Sequence, residues 1–244
     1  KRFIVSENNP IYCSASGLLL TKDKKKVVVG IDGDVIVPDY VAIIGKKAFY
    51  GFDGLTSVTM PNGVVEVEAN AFDHCSKMIS VAIGDNVKNI GEYAFGYCHN
   101  LKNVTIPDSV TNIGNHAFFS CANLANVIIG NGVATIGEDA FSYSGLTNVT
   151  IGCRVTNIAR SAFSNSRSLT SFIIDEHNSA YSSVDGFILS KDGKTLLMGA
   201  NGDVVIPDQV LRIGAYAFEH YDGLTSITIP GSVDVIEKRA FFGC

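Results

Sequence analysis

Nowhere in the chain do apolar residues run on for the ~20 positions that a membrane-spanning helix needs, although 46% of the 244 residues are hydrophobic. They are spread at intervals instead, so no membrane span is expected. Excess positive charge is missing as well: 19 Lys and Arg stand against 24 Asp and Glu, a formal net charge of -5. A nucleic-acid partner needs a basic stripe that displaces counterions, and none is present. The basic cluster Lys22 to Lys26 reads as a solvated hairpin tip. Catalytic signatures are lacking too, with no Gly-x-Ser-x-Gly elbow, no Gly-x-x-x-x-Gly-Lys phosphate loop and no His-Glu-x-x-His. Tryptophan does not occur, which removes one of the commonest interface anchors.

What the chain has is period. Ala-Phe recurs at Ala48-Phe49, Ala71-Phe72, Ala94-Phe95, Ala117-Phe118, Ala140-Phe141, Ala162-Phe163, Ala217-Phe218 and Ala240-Phe241, at steps of 23, 23, 23, 23, 22, 55 and 23 residues. So long and regular a repeat marks a solenoid, in which each unit buries its apolar face by stacking on the next. The unit is Leu-x-x-Val-x-Ile-Pro-x-x-Val-x-x-Ile-Gly-x-x-Ala-Phe-x-x-Cys, complete in Leu101 to Cys121. Its Leu-x-x-Val-x-Ile part alternates as a strand with one buried face does. Pro61-Asn62-Gly63 and Pro107-Asp108-Ser109 then turn the chain. Each coil therefore reads as a strand, a tight turn, a second short extended piece and a compact Ala-Phe turn.

The 55-residue step resolves when the strand-ending residue is followed instead. Val37, Met60, Ile83, Ile106, Ile129, Ile151, Ile174, Ile206 and Ile229 are separated by 23, 23, 23, 23, 22, 23, 32 and 23 residues, so one coil is 32 residues long and lacks Ala-Phe. That coil carries Phe187 to Leu197, with Asp192-Gly193 between apolar runs, a strong hairpin signal. The start of the chain repeats it at an offset of 169, Phe3-Ile4-Val5 matching Phe172-Ile173-Ile174 and Pro38 matching Pro207. Residues 1–75 and 170–244 are two copies of one larger unit. Ser16 for Asp185 and Lys24 for Gly193 predict a looser hairpin turn in the first copy. We expect one solenoid over 1–244, with longer hairpin-containing coils at 1–37 and 175–206 and regular coils at 38–174 and 207–244.

Cys75, Cys98, Cys121 and Cys244 all fall three residues after the Ala-Phe phenylalanine, a position that Phe52, Ser144, Ser166 and Tyr221 fill elsewhere. A slot shared by those residue types is one of packing; the thiols are expected free, and those of Cys75, Cys98 and Cys121 buried. Stacked coils bring successive cysteines to ~5 Å, within the range of a disulfide, but side chains of one ladder point the same way. His74-Cys75 and Cys98-His99 set the histidine on opposite sides of the cysteine, so they do not read as a metal site. Asp32-Gly33-Asp34 and Asn201-Gly202-Asp203 read as turns, lacking a calcium-binding loop. Neither metal nor cofactor is expected.

If Val104 and Ile106 point inward, alternation sends their neighbours outward. The outward ladder is Ser57, Thr59, Asn103, Thr105, Asn126, Ile128, Asn148, Thr150, Ser226 and Thr228. It is neutral and small, without aromatic anchors, which suits either a binding face or an idle sheet surface. The aromatics Tyr50, Phe52, Tyr93, Tyr97, Phe119, Tyr143, Tyr216 and Tyr221 lie near the Ala-Phe turn, which makes that side a second candidate surface.

Across essentially its whole length the chain resembles the BspA-like leucine-rich repeats of bacterial surface proteins, through Ile-Pro-x-x-Val-x-x-Ile-Gly-x-x-Ala-Phe and the insert Asn178 to Leu197. The resemblance implies a right-handed, β-rich leucine-rich-repeat solenoid of α/β-horseshoe type, here of about ten coils, and a place at the bacterial cell surface or outside the cell. It implies a role in adhesion to host or bacterial surface proteins through the concave sheet, and it carries no catalytic residues. The chain opens at Lys1-Arg2-Phe3 directly on repeat residues, as after removal of an export leader. Neither end reads as a polar cap, so each is expected to be covered by further repeats, by end-to-end self-association or by strand addition. The reading is a non-enzymatic recognition protein; the alternatives are a passive stalk that spaces other modules and an exported enzyme.

Overall fold

The computed structural model describes residues 2–244; Lys1, on which the leader reading partly rests, lies outside the described residues. The described chain is a β-solenoid of about nine coils and no helix. Each regular coil has the expected parts. Asn103–Ile106 is a strand with the burial pattern exposed-buried-exposed-buried, Pro107 turns the chain, Asn112–Ile113 is the short second strand, and the Ala-Phe turn closes the coil. Alternating Val and Ile fill one face of each strand, so every coil offers two apolar edges that only the next coil can cover.

The Ala-Phe turns form a ladder of their own. The Phe N–H of one coil donates to the Ala carbonyl of the next, from Phe49 to Ala71, Phe72 to Ala94 and Phe118 to Ala140 at 2.7 Å. This satisfies backbone groups buried too deeply for water. The rings follow the backbone: Phe72, Phe95, Phe118 and Phe141 stack within 8° of parallel, with centroids 5.1, 5.0 and 5.2 Å apart. That spacing is the distance between paired strands. In the hairpin coils glycine replaces the phenylalanine. Gly30 and Gly199 donate to Ala48 and Ala217 at 2.7 Å, and a Cβ on either would lie about 2 Å from the ring of Phe49 or Phe218.

Two ladders of strands run along the coils. The short second strands, with the first hairpin, make one nine-stranded sheet, and the second hairpin begins a new five-stranded one. The longer strands do not form one sheet. They make a three-stranded piece (Gly33–Ile36, Leu55–Thr59, Ser80–Ala82), a four-stranded piece (Asn103–Ile106, Asn126–Ile129, Asn148–Ile151, Ser171–Ile174) and a two-stranded piece (Gly202–Val205, Leu224–Thr228). The count of nine instead of ten follows from the start of the chain: Phe3-Ile4-Val5 forms no strand. Phe3 and Val5 keep the bonds of their counterparts, to Gly17 O at 2.8 Å and Ser14 Oγ at 3.0 Å. Among the described residues they lack the parallel neighbour that Asn148–Ile151 gives to Ser171–Ile174.

Both hairpins are antiparallel meanders in the expected place, Tyr12–Ala15 to Lys26–Val29 and Tyr181–Val184 to Thr195–Met198. The first is not looser than the second. Ser16 and Asp185 share φ 51°, and Lys24 takes φ 64° where Gly193 has 71°. In both turns an aspartate accepts a hydroxyl at 2.6 Å and an N–H at 3.0 Å, Asp23 from Thr21 and Lys25, Asp192 from Ser190 and Lys194. That clamp imposes one backbone on both sequences, at the cost of a left-handed lysine.

Candidate functional site

The outward ladder is outward, but it is divided. Asn103, Asn126 and Asn148 stand in register as one exposed column, with Thr105, Ile128 and Thr150 as a second beside it, Thr150 half-buried. Asn126 Nδ2 donates to Asn103 Oδ1 at 3.1 Å, and Ile128 is 50% exposed. These six belong to the four-stranded piece. Ser57 and Thr59 lie on the three-stranded piece, and Ser226 and Thr228 on the two-stranded piece beyond the second hairpin. Ser57 is half-buried.

Two aspartates that the sequence suggests are turn residues belong to this face: Asp34 and Asp203 lie in the strands Gly33–Ile36 and Gly202–Val205, in register with Ser57 and Ser226. Asp34 accepts the hydroxyls of Thr56 and Ser57 at 2.7 and 2.6 Å, and Asp203 those of Thr225 and Ser226 at 2.6 and 2.7 Å. Hydroxyl donation, chiefly from Ser57 in one and Thr225 in the other, holds both carboxyls below their ordinary range. Counting one 23-residue step back from Ser57 and Ser226 reaches both. The same columns expose Ile36, Ile173 and Val205, at 73%, 54% and 64%. The face is therefore a mixed surface of amides, hydroxyls, β-branched side chains and two carboxylates.

The Ala-Phe side sorts its aromatics. Tyr221 is buried, and burial raises its hydroxyl pKa well above the ordinary value; Phe52 packs on the core. Tyr50 and Tyr143 are exposed, and between them His74 stacks on Tyr97 at 4.3 Å and Tyr93 on His116 at 4.5 Å. Residues either side of Ala-Phe, among them Tyr93, Tyr97, His74 and His116, hold left-handed backbone with φ 51–61°. Under the rings Asp73 is buried, which raises its pKa, and Asn70 donates to its Oδ2 at 3.0 Å.

Cys75, Cys98 and Cys121 are fully buried and free. Their slot does more than pack: each thiol donates to the phenylalanine carbonyl of the preceding coil, Phe49, Phe72 and Phe95, at 2.9, 3.2 and 3.2 Å. Ser166 does the same to Phe141 at 3.1 Å. Because the thiols point into the core while His74 and His99 are exposed, His74-Cys75 and Cys98-His99 converge on no common point. Among the described residues no three His, Cys, Asp or Glu stand close enough to hold a metal ion.

A parallel β-solenoid with 23-residue coils, whose first inward slot is filled by Leu55, Leu101, Leu124, Leu146, Leu169 and Leu224, defines a leucine-rich-repeat scaffold. The profile of the BspA type leucine rich repeat region matches residues 33–144, 67–183 and 200–244 in six copies, and the chain belongs to that family. A leucine rich cell surface protein from Faecalibacterium prausnitzii is 28% identical, with a TM-score of 0.63 over 95% of this chain and 73% of that one. The T. pallidum leucine rich repeat protein is 31% identical over 63% of this chain and 76% of its own, with a TM-score of 0.59. The pneumococcal vaccine antigen PcpA shares the fold at 20% identity, with a TM-score of 0.74 over 97% of this chain and 67% of its own. Among curated proteins none matches. No helix of the described chain is long and apolar enough to cross a membrane.

Proposed function

We propose that the chain is a bacterial cell-surface or secreted recognition module that adheres to host or bacterial surface proteins through its outward strand face. The observation that carries this reading is the four-stranded piece, where an exposed asparagine column and a second column, exposed at Thr105 and Ile128, stand in register above the buried core. A rigid base with exposed amide and hydroxyl groups binds without losing much side-chain entropy. Membership of a family with cell-surface relatives supports the location. The alternative is a passive spacer, for which the same face would be idle.

The test compares beads coated with the chain and with Asn103→Ala/Asn126→Ala/Asn148→Ala on epithelial and bacterial cells. Recognition through this face predicts that coated beads adhere, that the triple variant loses most of that adhesion, and that its unfolding midpoint is unchanged. Equal adhesion of coated and uncoated beads would support the spacer, and equal adhesion of both proteins would move the site off this face.

A further inference from the structure

The strand Gly202–Val205 is paired on one side only. Its partner is Leu224–Thr228, toward which Gly202 and Ile206 donate N–H at 2.8 and 3.0 Å. Backbone groups alternate sides along a strand, so residues 203 and 205 turn their N–H and C=O the other way. Among the described residues no strand pairs with them there. The preceding strand of this face, Ser171–Ile174, has no Cα within 8 Å of Gly202–Val205. Paired strands lie ~4.8 Å apart, so Ser171–Ile174 stands beyond pairing distance of that edge.

The second hairpin covers only one of the two edges. Gly186 O accepts the Phe172 N–H and Ser183 Oγ the Ile174 N–H, each at 3.0 Å, which covers the edge of Ser171–Ile174 and leaves Gly202–Val205 bare. Neither Tyr181–Val184 nor Phe187–Ser190 brings a Cα within 8 Å of that bare edge. The result is a groove of about 820 Å³ with Val184 and Phe187 on one wall and residues 202–209 on the other. Asp185, Asp203 and Asp208 line it, all exposed, and among the described residues no Lys or Arg does.

We propose that this groove binds an extended peptide segment of a partner protein, which adds as a strand to Gly202–Val205 and sets basic side chains beside Asp185, Asp203 and Asp208. The proposal rests on the recognition reading above and names the kind of partner. Alternate residues of such a strand face in, toward Val184 and Phe187, so the fitting sequence alternates basic and β-branched apolar residues. A second copy of this chain, with its net charge of -5, suits an acidic groove less well.

The probe is a blocked, fluorescent peptide of about eight residues alternating lysine and valine, titrated by anisotropy against the full chain. It is expected to bind saturably, more weakly as salt rises. The same peptide with N-methyl groups on alternate residues, or with glutamate for lysine, is expected to bind about tenfold more weakly or worse. Val205→Pro removes an N–H that faces the groove and none that faces Leu224–Thr228, and the same loss is expected of it. If that variant does not fold, Asp185→Lys/Asp208→Lys, at two exposed positions, is expected to give the loss. Absence of saturable binding at millimolar peptide overturns the proposal, as does equal binding of the N-methylated peptide or undiminished binding by both variants. A concentration-dependent doubling of mass that Val205→Pro abolishes would assign the edge to a second copy and overturn it too. Peptide binding without sheet-face adhesion, or the reverse, separates this proposal from the reading it rests on.

Discussion

Phe118 lies between two rings of its own kind, 5.0 Å from Phe95 and 5.2 Å from Phe141, with no exposed surface. Phe118→Ala therefore opens a cavity whose walls are held by both neighbouring coils and cannot collapse. It should cost about 3–5 kcal/mol in urea denaturation, and a loss below about 1 kcal/mol would mean that the ring is not a core element. The cysteines make a second test at this scale. Burial pushes the Cys75 and Cys121 thiols up to about 12 and raises that of Cys98, so they are neither nucleophilic nor reachable in the fold. Alkylation of the native chain should modify exposed Cys244 and leave these three untouched until denaturant is added. A Cys75–Cys98 or Cys98–Cys121 bridge in the mass spectrum would contradict the thiol-to-carbonyl bonds.

At the scale of the element, the two hairpins show one backbone carried by two sequences. Asp23 and Asp192 fix the turn through the same two hydrogen bonds, and Lys24 is drawn into left-handed backbone that Gly193 adopts without strain. Lys24→Gly should stabilise the chain by about 0.5–1 kcal/mol, the relief of a left-handed side chain less the added chain entropy of glycine. A thermal midpoint that falls instead would show that the Lys24 ammonium, 6.0 Å from the centre of the Tyr40 ring, contributes more than the strain.

For the whole molecule, the second hairpin is the joint. The phenylalanine stack ends where Phe163 meets Phe172 edge-on, and a second core forms around Phe187 and Phe218. Two buried asparagines bridge the break. Asn178 Nδ2 donates to the Gly152 and Val155 carbonyls at 3.0 and 2.9 Å. Asn201 Nδ2 donates to those of Ser166 and Leu169 at 2.9 and 3.2 Å, while its Oδ1 accepts from Gly223 at 3.0 Å. Asn201→Asp keeps the acceptor and turns the donor into a charge facing two carbonyls. The expected loss is about 1–3 kcal/mol, with amides of residues 187–244 exchanging ahead of those of 38–163. Uniform protection across both parts would show that the joint does not limit cooperativity.

The period of 23 determined the stacking, the alternation in Leu-x-x-Val-x-Ile determined which residues enter the core, and Asp-Gly at 192–193 determined a hairpin. All three are local or periodic signals that physical chemistry reads without a partner. The outward direction of Asn103, Thr105, Asn126 and Ile128 was legible for the same reason. That these ten positions fall on three separate pieces of sheet was not, because strand pairing depends on what the neighbouring coil presents, and the inserted hairpin takes the place of a neighbour. The roles of Asn178 and Asn201 lay equally out of reach, since an amide gains its meaning from carbonyls more than twenty residues away. Only the tertiary structure decided that Gly202–Val205 keeps a bare edge, because hairpin residues 183–186 cover Ser171–Ile174, and the backbone bond to the preceding coil, from Asn201 N–H to Leu169 O at 2.9 Å, is made just before the strand begins.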